Sequence, residues 1–207
     1  LSILDTQEAC ANELSEILIN GFPHAGDILL DGARFDPGDS LTAIRNGVGI
    51  VGPQAGRVLC DNLAGPENLA LLYRRRHKSG NPMITNRLPQ LFVSEFGGEL
   101  EGLDPTRPLC DAGANSYIRL KLAYLKWIIY RPKLLICLKP FASGDVLMRE
   151  VAASMIRKAA LRGVCVLVIS SNPKEAWVCC DRIGLITQGR ISHTMSQDEF
   201  SRIISDN

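Results

Sequence analysis

The chain has 207 residues, 46% of them hydrophobic and 6% aromatic, enough to bury one sizeable core, or one core with a small lobe. Its 23 lysines and arginines nearly cancel 22 aspartates and glutamates, leaving a net charge of +1, so no long-range field marks it for nucleic acid or for acidic lipid. The longest apolar runs, such as 164–169, are strand-sized, and the apolar segment 117–130 carries Arg119, Lys121 and Lys126, which excludes direct membrane insertion.

In chain order, the pattern predicts a short strand over 2–4, a helix over 11–19, a turn over 23–26, and strand segments over 27–30 and 48–51. The rhythm breaks over 73–111, where a basic patch (Arg74, Arg75, Arg76, His77, Lys78) is followed by Gly80, Asn81 and Pro82 and then by a glycine-rich stretch over 96–102. This stretch reads as a small irregular or helical lobe. The patch reads as a solvated loop face, the alternative being a dock for a partner's cytoplasmic helix. Regular alternation follows: helix 116–130, strand 133–138, helix 146–161, strand 164–169, helix 174–179 and strand 182–187. A hairpin-like return at Gln188-Gly189 leads to strand 190–195, and a closing helix over 197–204 has Ser196 as its N-cap.

Strands rich in Val, Ile and Leu on both faces, alternating with one-striped helices, require a parallel sheet covered on either side. The fold class is α/β. Ligands of such sheets sit at the carboxyl ends of the strands, here just after Leu4, Leu138 and Ile169.

Seven cysteines are scattered along the chain without a C-x-x-C pair, the usage of a reduced cytosolic protein rather than of a disulfide framework or a zinc site. The vicinal Cys179-Cys180 reads as core filler rather than as a redox pair. The chain starts at Leu1 inside an apolar run with no signal peptide. The expectation is one domain, 1–207, cut from a longer polypeptide.

The string PKLLICLKPFASGD from Pro132, with GVCVLVISSNPKEAWVCCDRIGLITQGRIS from Gly163, resembles the second half of an ABC transporter ATPase, above all the sugar-importer ATPases that carry two cassettes in tandem. The segment PHAGDILLDGARFDPGDSLTAIRNGVGIV from Pro23 is similar to that family's turn, its hairpin and the strand before its Q-loop. The resemblance covers nearly the whole chain apart from 74–111. It implies a P-loop-NTPase-like sheet core covered by helices, with an N-terminal antiparallel β portion, and ATP with magnesium as the family's cofactors.

The chemistry departs from the family. A phosphate cradle needs glycines, a lysine and a magnesium-holding hydroxyl, whereas the stretch after the first strand is Asp5-Thr6-Gln7-Glu8-Ala9-Cys10-Ala11-Asn12. Asp5 and Glu8 read as solvent-facing residues, the alternative being that they repel a triphosphate. The strand that ends in Asp-Glu in the family ends here in Leu138 and Lys139, and the lysine reads as a structural salt-bridge partner of Asp145 or another carboxylate. The signature loop falls on Ala112-Gly113-Ala114-Asn115-Ser116 and the switch histidine on Ser171. Ser170-Ser171 lacks the histidine or elbow that a nucleophile needs.

By resemblance Gln54 matches the Q-loop glutamine and Asp145 the D-loop aspartate, and with Asn12 they stand as vestigial cofactor-binding positions. No catalytic and no metal-ligating residue is assigned, and ATP·Mg binding is expected to be weak or absent. The resemblance implies a non-hydrolysing cassette of an importer for sugars or related solutes, at the cytoplasmic face of the membrane, working with an active ABC ATPase domain and a transmembrane permease subunit. Two alternatives stay open: a scaffold or regulatory pseudo-ATPase without a permease, and an active ATPase with unconventional residues.

Overall fold

The computed structural model describes residues 1–5, 9–76, 90, 92, 94, 96–143, 145–172 and 177–205. Six strands form one sheet. From one edge they run β4 (Val48–Val51), β5 (Leu134–Leu138), β6 (Cys165–Ser170), β1 (Ser2–Asp5), β7 (Arg182–Thr187) and β8 (Arg190–Ser196). The first five are parallel and β8 turns back antiparallel on β7. Gln188 and Gly189 make that return with φ of 51° and 75°, the two positive dihedrals that a tight hairpin compatible with strand twist demands. A separate antiparallel pair, β2 (Leu29–Leu30) and β3 (Ala33–Arg34), stands where the sequence predicts a longer strand over 27–30.

Among the described residues the fully bounded helices are α1 (Ala9–Asn20), α2 (Ser40–Arg45), α3 (Gly65–Arg76), α4 (Ser116–Tyr130), α5 (Val146–Leu161) and α6 (Gln197–Ser205). The period-two alternation of a strand decides which layer each residue joins. On β5, Leu135 and Cys137 enter the cluster built with α4 and α5, while Ile136 enters the opposite cluster with Leu18, Ile19 and Ala43 of α1 and α2. A smaller third cluster holds Leu4 and Ile183 against Phe200 of α6.

The stretch 73–111 is partly helical and partly irregular where it is described. Its beginning belongs to α3, and Gly97–Glu99 forms one 3₁₀ turn. Phe92, Phe96, Leu100 and Leu109 pack into the same cluster as α4 and α5. His77, Lys78 and the side chains of Arg74, Arg75 and Arg76 lie outside the described residues, as do 174–176 of the predicted helix 174–179.

Candidate functional site at the strand ends

The carboxyl ends of β1, β5 and β6 lie side by side, with Leu138 in register with Ile169 and Leu4 with Ser170. Asp5, Leu138, Lys139, Ser170 and Ser171 of the predicted site stand at these ends. Asp5 closes β1 and is 1% exposed, which corrects the reading of it as solvent-facing: the last residue of a central strand is walled in by its neighbours β6 and β7. Thr6, Gln7 and Glu8 lie outside the described residues. Leu138 closes β5 half-buried and packs with the α1–α2 cluster.

Lys139 turns the chain away from the sheet with φ of 46°, a left-handed conformation that costs a side-chain-bearing residue about 1–2 kcal/mol. Its amide donates to the carbonyl of Ile169 at 2.8 Å, and its own carbonyl accepts from Ala142 N at 3.2 Å. These bonds fix the turn. At the end of β6, Ser170 is buried and its hydroxyl accepts from Asn172 N at 3.1 Å, while Ser171 is half-buried.

Asp145 is set by the start of α5. As N-cap it accepts from Leu147 N at 2.8 Å and Met148 N at 3.4 Å, and the Tyr117 hydroxyl donates to its second oxygen at 2.7 Å. The Tyr117 bond, helped by these amides and Arg149, holds the carboxyl below its ordinary value, against an opposing cost of desolvation. The same bond raises the tyrosine.

The segment matched to the signature loop, 112–116, contains Asn115, which caps α4 by accepting from Ile118 N at 2.9 Å. Gly113 precedes it at φ 75°, with Gly102 O only 3.0 Å from where a Cβ would stand, so glycine is needed there both for backbone conformation and for space.

Gln54 and Asn12 stand apart from this cluster. Gln54 is exposed at the head of a 3₁₀ turn, Ala55–Val58, and accepts from Arg57 Nη1 at 3.5 Å. It borders a cavity of about 400 Å³ closed by Pro53, Val58, Ala123 and Trp127. Asn12 is exposed on the first turns of α1, where its backbone carbonyl accepts from Ser15 Oγ at 2.8 Å. The sequence reading missed Tyr117: no local pattern ties it to a carboxylate 28 residues away, although its place one step inside a capped helix marks it as a residue at a helix mouth. Among the described residues, no three His, Cys, Asp or Glu side chains gather as a metal site.

No family model matches the chain. It is 28% identical over 185 residues to the L-arabinose transport ATP-binding protein AraG of Geobacillus stearothermophilus, covering 86% of this chain and 35% of that protein. It is 29% identical over 184 residues to the ribose import ATP-binding protein RbsA of Chelativorans sp., covering 85% and 35%. Against the xylose import ATP-binding protein XylG of Thermoanaerobacter pseudethanolicus the identity is 28% over 196 residues, with 93% and 38% covered. The chain thus spans little more than a third of the length of these curated relatives.

Among solved structures, a dimeric ATP-binding cassette in a post-hydrolysis state with ADP and Pi superposes with a TM-score of 0.66 at 16% identity, over 95% of this chain and 84% of that one. The cbiO1 protein of Clostridium perfringens, part of an ABC transporter complex, superposes with a TM-score of 0.71 at 16% identity, over 99% and 81%. By sequence the chain is a homologue of sugar-importer ATP-binding proteins, and its fold is that of an ATP-binding cassette.

Proposed function

We propose that this chain is one cassette of a sugar importer that does not hydrolyse ATP and serves as the structural and coupling partner of an active cassette. The observation that carries the reading is the chemistry at the strand ends: Leu138 and Lys139 stand on a fixed turn at the end of β5, and Asp5 is buried at the end of β1, with β6 between them. Magnesium needs oxygen ligands, and Leu138 has none to offer. An attacking water needs a neighbouring base, and a lysine ammonium cannot act as an anionic one. A triphosphate needs positive or neutral donors around it, and the carboxylate of Asp5 is the wrong sign. These residues do not fit ATP·Mg, and no hydrolytic step is routed through them.

What supports a partner role is the retained scaffold. Capped heads of α4 and α5 hold Asp145 in place, and Gln54 sits beside an apolar cavity. We assign the opposing surface of a cassette pair to the Asp145 side, and the permease contact to the Gln54 cavity, at the cytoplasmic face of the membrane. Asn12, Gln54 and Asp145 then keep shape and contact rather than nucleotide chemistry.

Titration calorimetry with ATP and magnesium tests the reading. The expected affinity is millimolar or weaker, with no phosphate release above background. A micromolar affinity would overturn it.

A further inference from the structure

Cys179 and Cys180 lie at the junction between α5 and β7, away from the strand ends discussed above. Their sulfurs are 4.0 Å apart, with one thiol donating to the other. A cleft of about 420 Å³ opens onto both, walled by Arg157, Val178, Asp181 and Gln197. The walls are held by specific bonds: Arg157 donates to the carbonyl of Val178, and Gln197 Nε2 donates to the carbonyl of Trp177 at 3.0 Å. Cys179 is half-buried and Cys180 is buried at 5% exposure. Both are free thiols.

We propose that Cys179 and Cys180 form a reversible oxidation site that closes a vicinal disulfide when a hydroperoxide enters this cleft. The Cys180 thiolate attacks one peroxide oxygen; the O–O bond breaks, Cys180 becomes a sulfenic acid, and the other oxygen leaves with a proton. The Cys179 sulfur then attacks the Cys180 sulfur. An S–S bond forms, the S–O bond breaks, and the departing hydroxide takes the Cys179 proton as water. Both thiols are oxidised together by two electrons and the peroxide is reduced to water, or to water and an alcohol.

The environment assigns the two roles. The hydrogen bond with Cys179, with help from Ser2, lowers the Cys180 thiol despite its burial, favouring the nucleophilic form. The same pairing and burial raise Cys179, leaving it a protonated resolving thiol. Consecutive Cα atoms are about 3.8 Å apart across a trans peptide, closer than disulfides prefer. The resulting ring is strained, and strained disulfides are the readily reduced ones. The proposal does not depend on the nucleotide reading.

The test treats the full chain with hydrogen peroxide, alongside a version with Cys10, Cys60, Cys110 and Cys165 changed to Ser, and maps the peptides by mass. The expected product in both is a peptide lighter by two hydrogens, linking Cys179 to Cys180 and restored by dithiothreitol. C179S should stop at a Cys180 sulfenic acid trapped by dimedone, and C180S should lose both products, with oxidation at Cys179 slowed about tenfold or more. The proposal is overturned if the pair stays reduced in the unaltered chain after Cys60 has been oxidised. It is equally overturned if Cys180 pairs with Cys137, or if C180S oxidises at an undiminished rate.

Discussion

The Tyr117 hydroxyl donates to Asp145 at 2.7 Å, and this bond ties the head of α4 to the head of α5. Both helices start at a polar cap, Asn115 and Asp145, so the bond connects two N-termini that point toward the same edge of the molecule. Replacing Tyr117 with Phe removes the donor while keeping the ring.

The expected result of Y117F is a rise of the Asp145 carboxyl toward its ordinary value of 3.8, because the Tyr117 bond is the largest cause holding it down. A carboxyl lowered in the folded state contributes stability that is complete above 3.8 and is lost as pH falls through the lower folded value. Y117F should therefore lose less stability than the parent below pH 3.8, and the two should respond alike to pH between 5 and 7. Carboxyl titration by NMR together with acid unfolding reads both. An unchanged Asp145 titration would contradict the bond.

Much of the fold is legible in the sequence because its elements begin and end on strong local signals. Helices α4 and α5 occupy 116–130 and 146–161, the spans the periodicity predicts. Asn115 and Asp145 cap their starts, and Arg131 in the left-handed region and Gly163 follow their ends. Helix α2 went unpredicted although Asp39 is a sound cap, accepting from Thr42 N at 2.6 Å, because six residues are too few to show a period. Helix α3 has a signal too: Glu67 accepts from Ala64 N at 2.9 Å, half of a capping box, but the following arginines masked its apolar stripe. The candidate site is less legible. The burial of Asp5 and the turn at Lys139 depend on which strands flank β1 and β5, and strand order is a property of the whole chain.

Asn68 offers a sharper test of how the loop before α3 is held. It is 1% exposed, accepts from Cys60 N at 2.8 Å, and donates to the carbonyls of Cys60, Leu63 and Ala64 at 3.0, 3.1 and 3.2 Å. Asn68→Asp keeps the shape but replaces the donor with a charged acceptor facing three carbonyls, a loss on the order of 3 kcal/mol. Urea unfolding checks it; a loss within experimental error would mean the loop does not need the clamp.

Gly49 of β4 packs directly against the indole of Trp127 of α4. A Cβ on Gly49 would lie 2.6 Å and 2.7 Å from Cε3 and Cζ3 of the indole, well inside van der Waals contact. Gly49→Ala should cost about 1–3 kcal/mol through overpacking. Because the clash is with one ring, the same change made in a Trp127→Leu background should cost clearly less, and a double-mutant cycle isolates that coupling. Equal costs in both backgrounds would place the strain elsewhere.

Tyr124 is fully buried on the inner face of α4, and among the described residues its hydroxyl has no hydrogen-bond partner by strict geometry. Beside it is the Cys137 thiol, itself buried and pushed up to about 12, a neutral and weakly accepting sulfur. Burial raises the tyrosine well above its ordinary value, so it stays neutral through physiological pH and carries no pH dependence there. A buried hydroxyl without a good partner loses hydration that nothing replaces. Tyr124→Phe, which keeps the ring, is therefore expected to be neutral or to stabilise the fold by up to about 1 kcal/mol. Tyr124→Ala removes the ring as well and should cost about 3–5 kcal/mol through the cavity it leaves. Urea unfolding of both variants at pH 7 separates ring from hydroxyl. A loss above about 2 kcal/mol for the Phe variant would mean that the hydroxyl is strongly bound after all, and that the contact with Cys137 is a stabilising hydrogen bond rather than a packing accident.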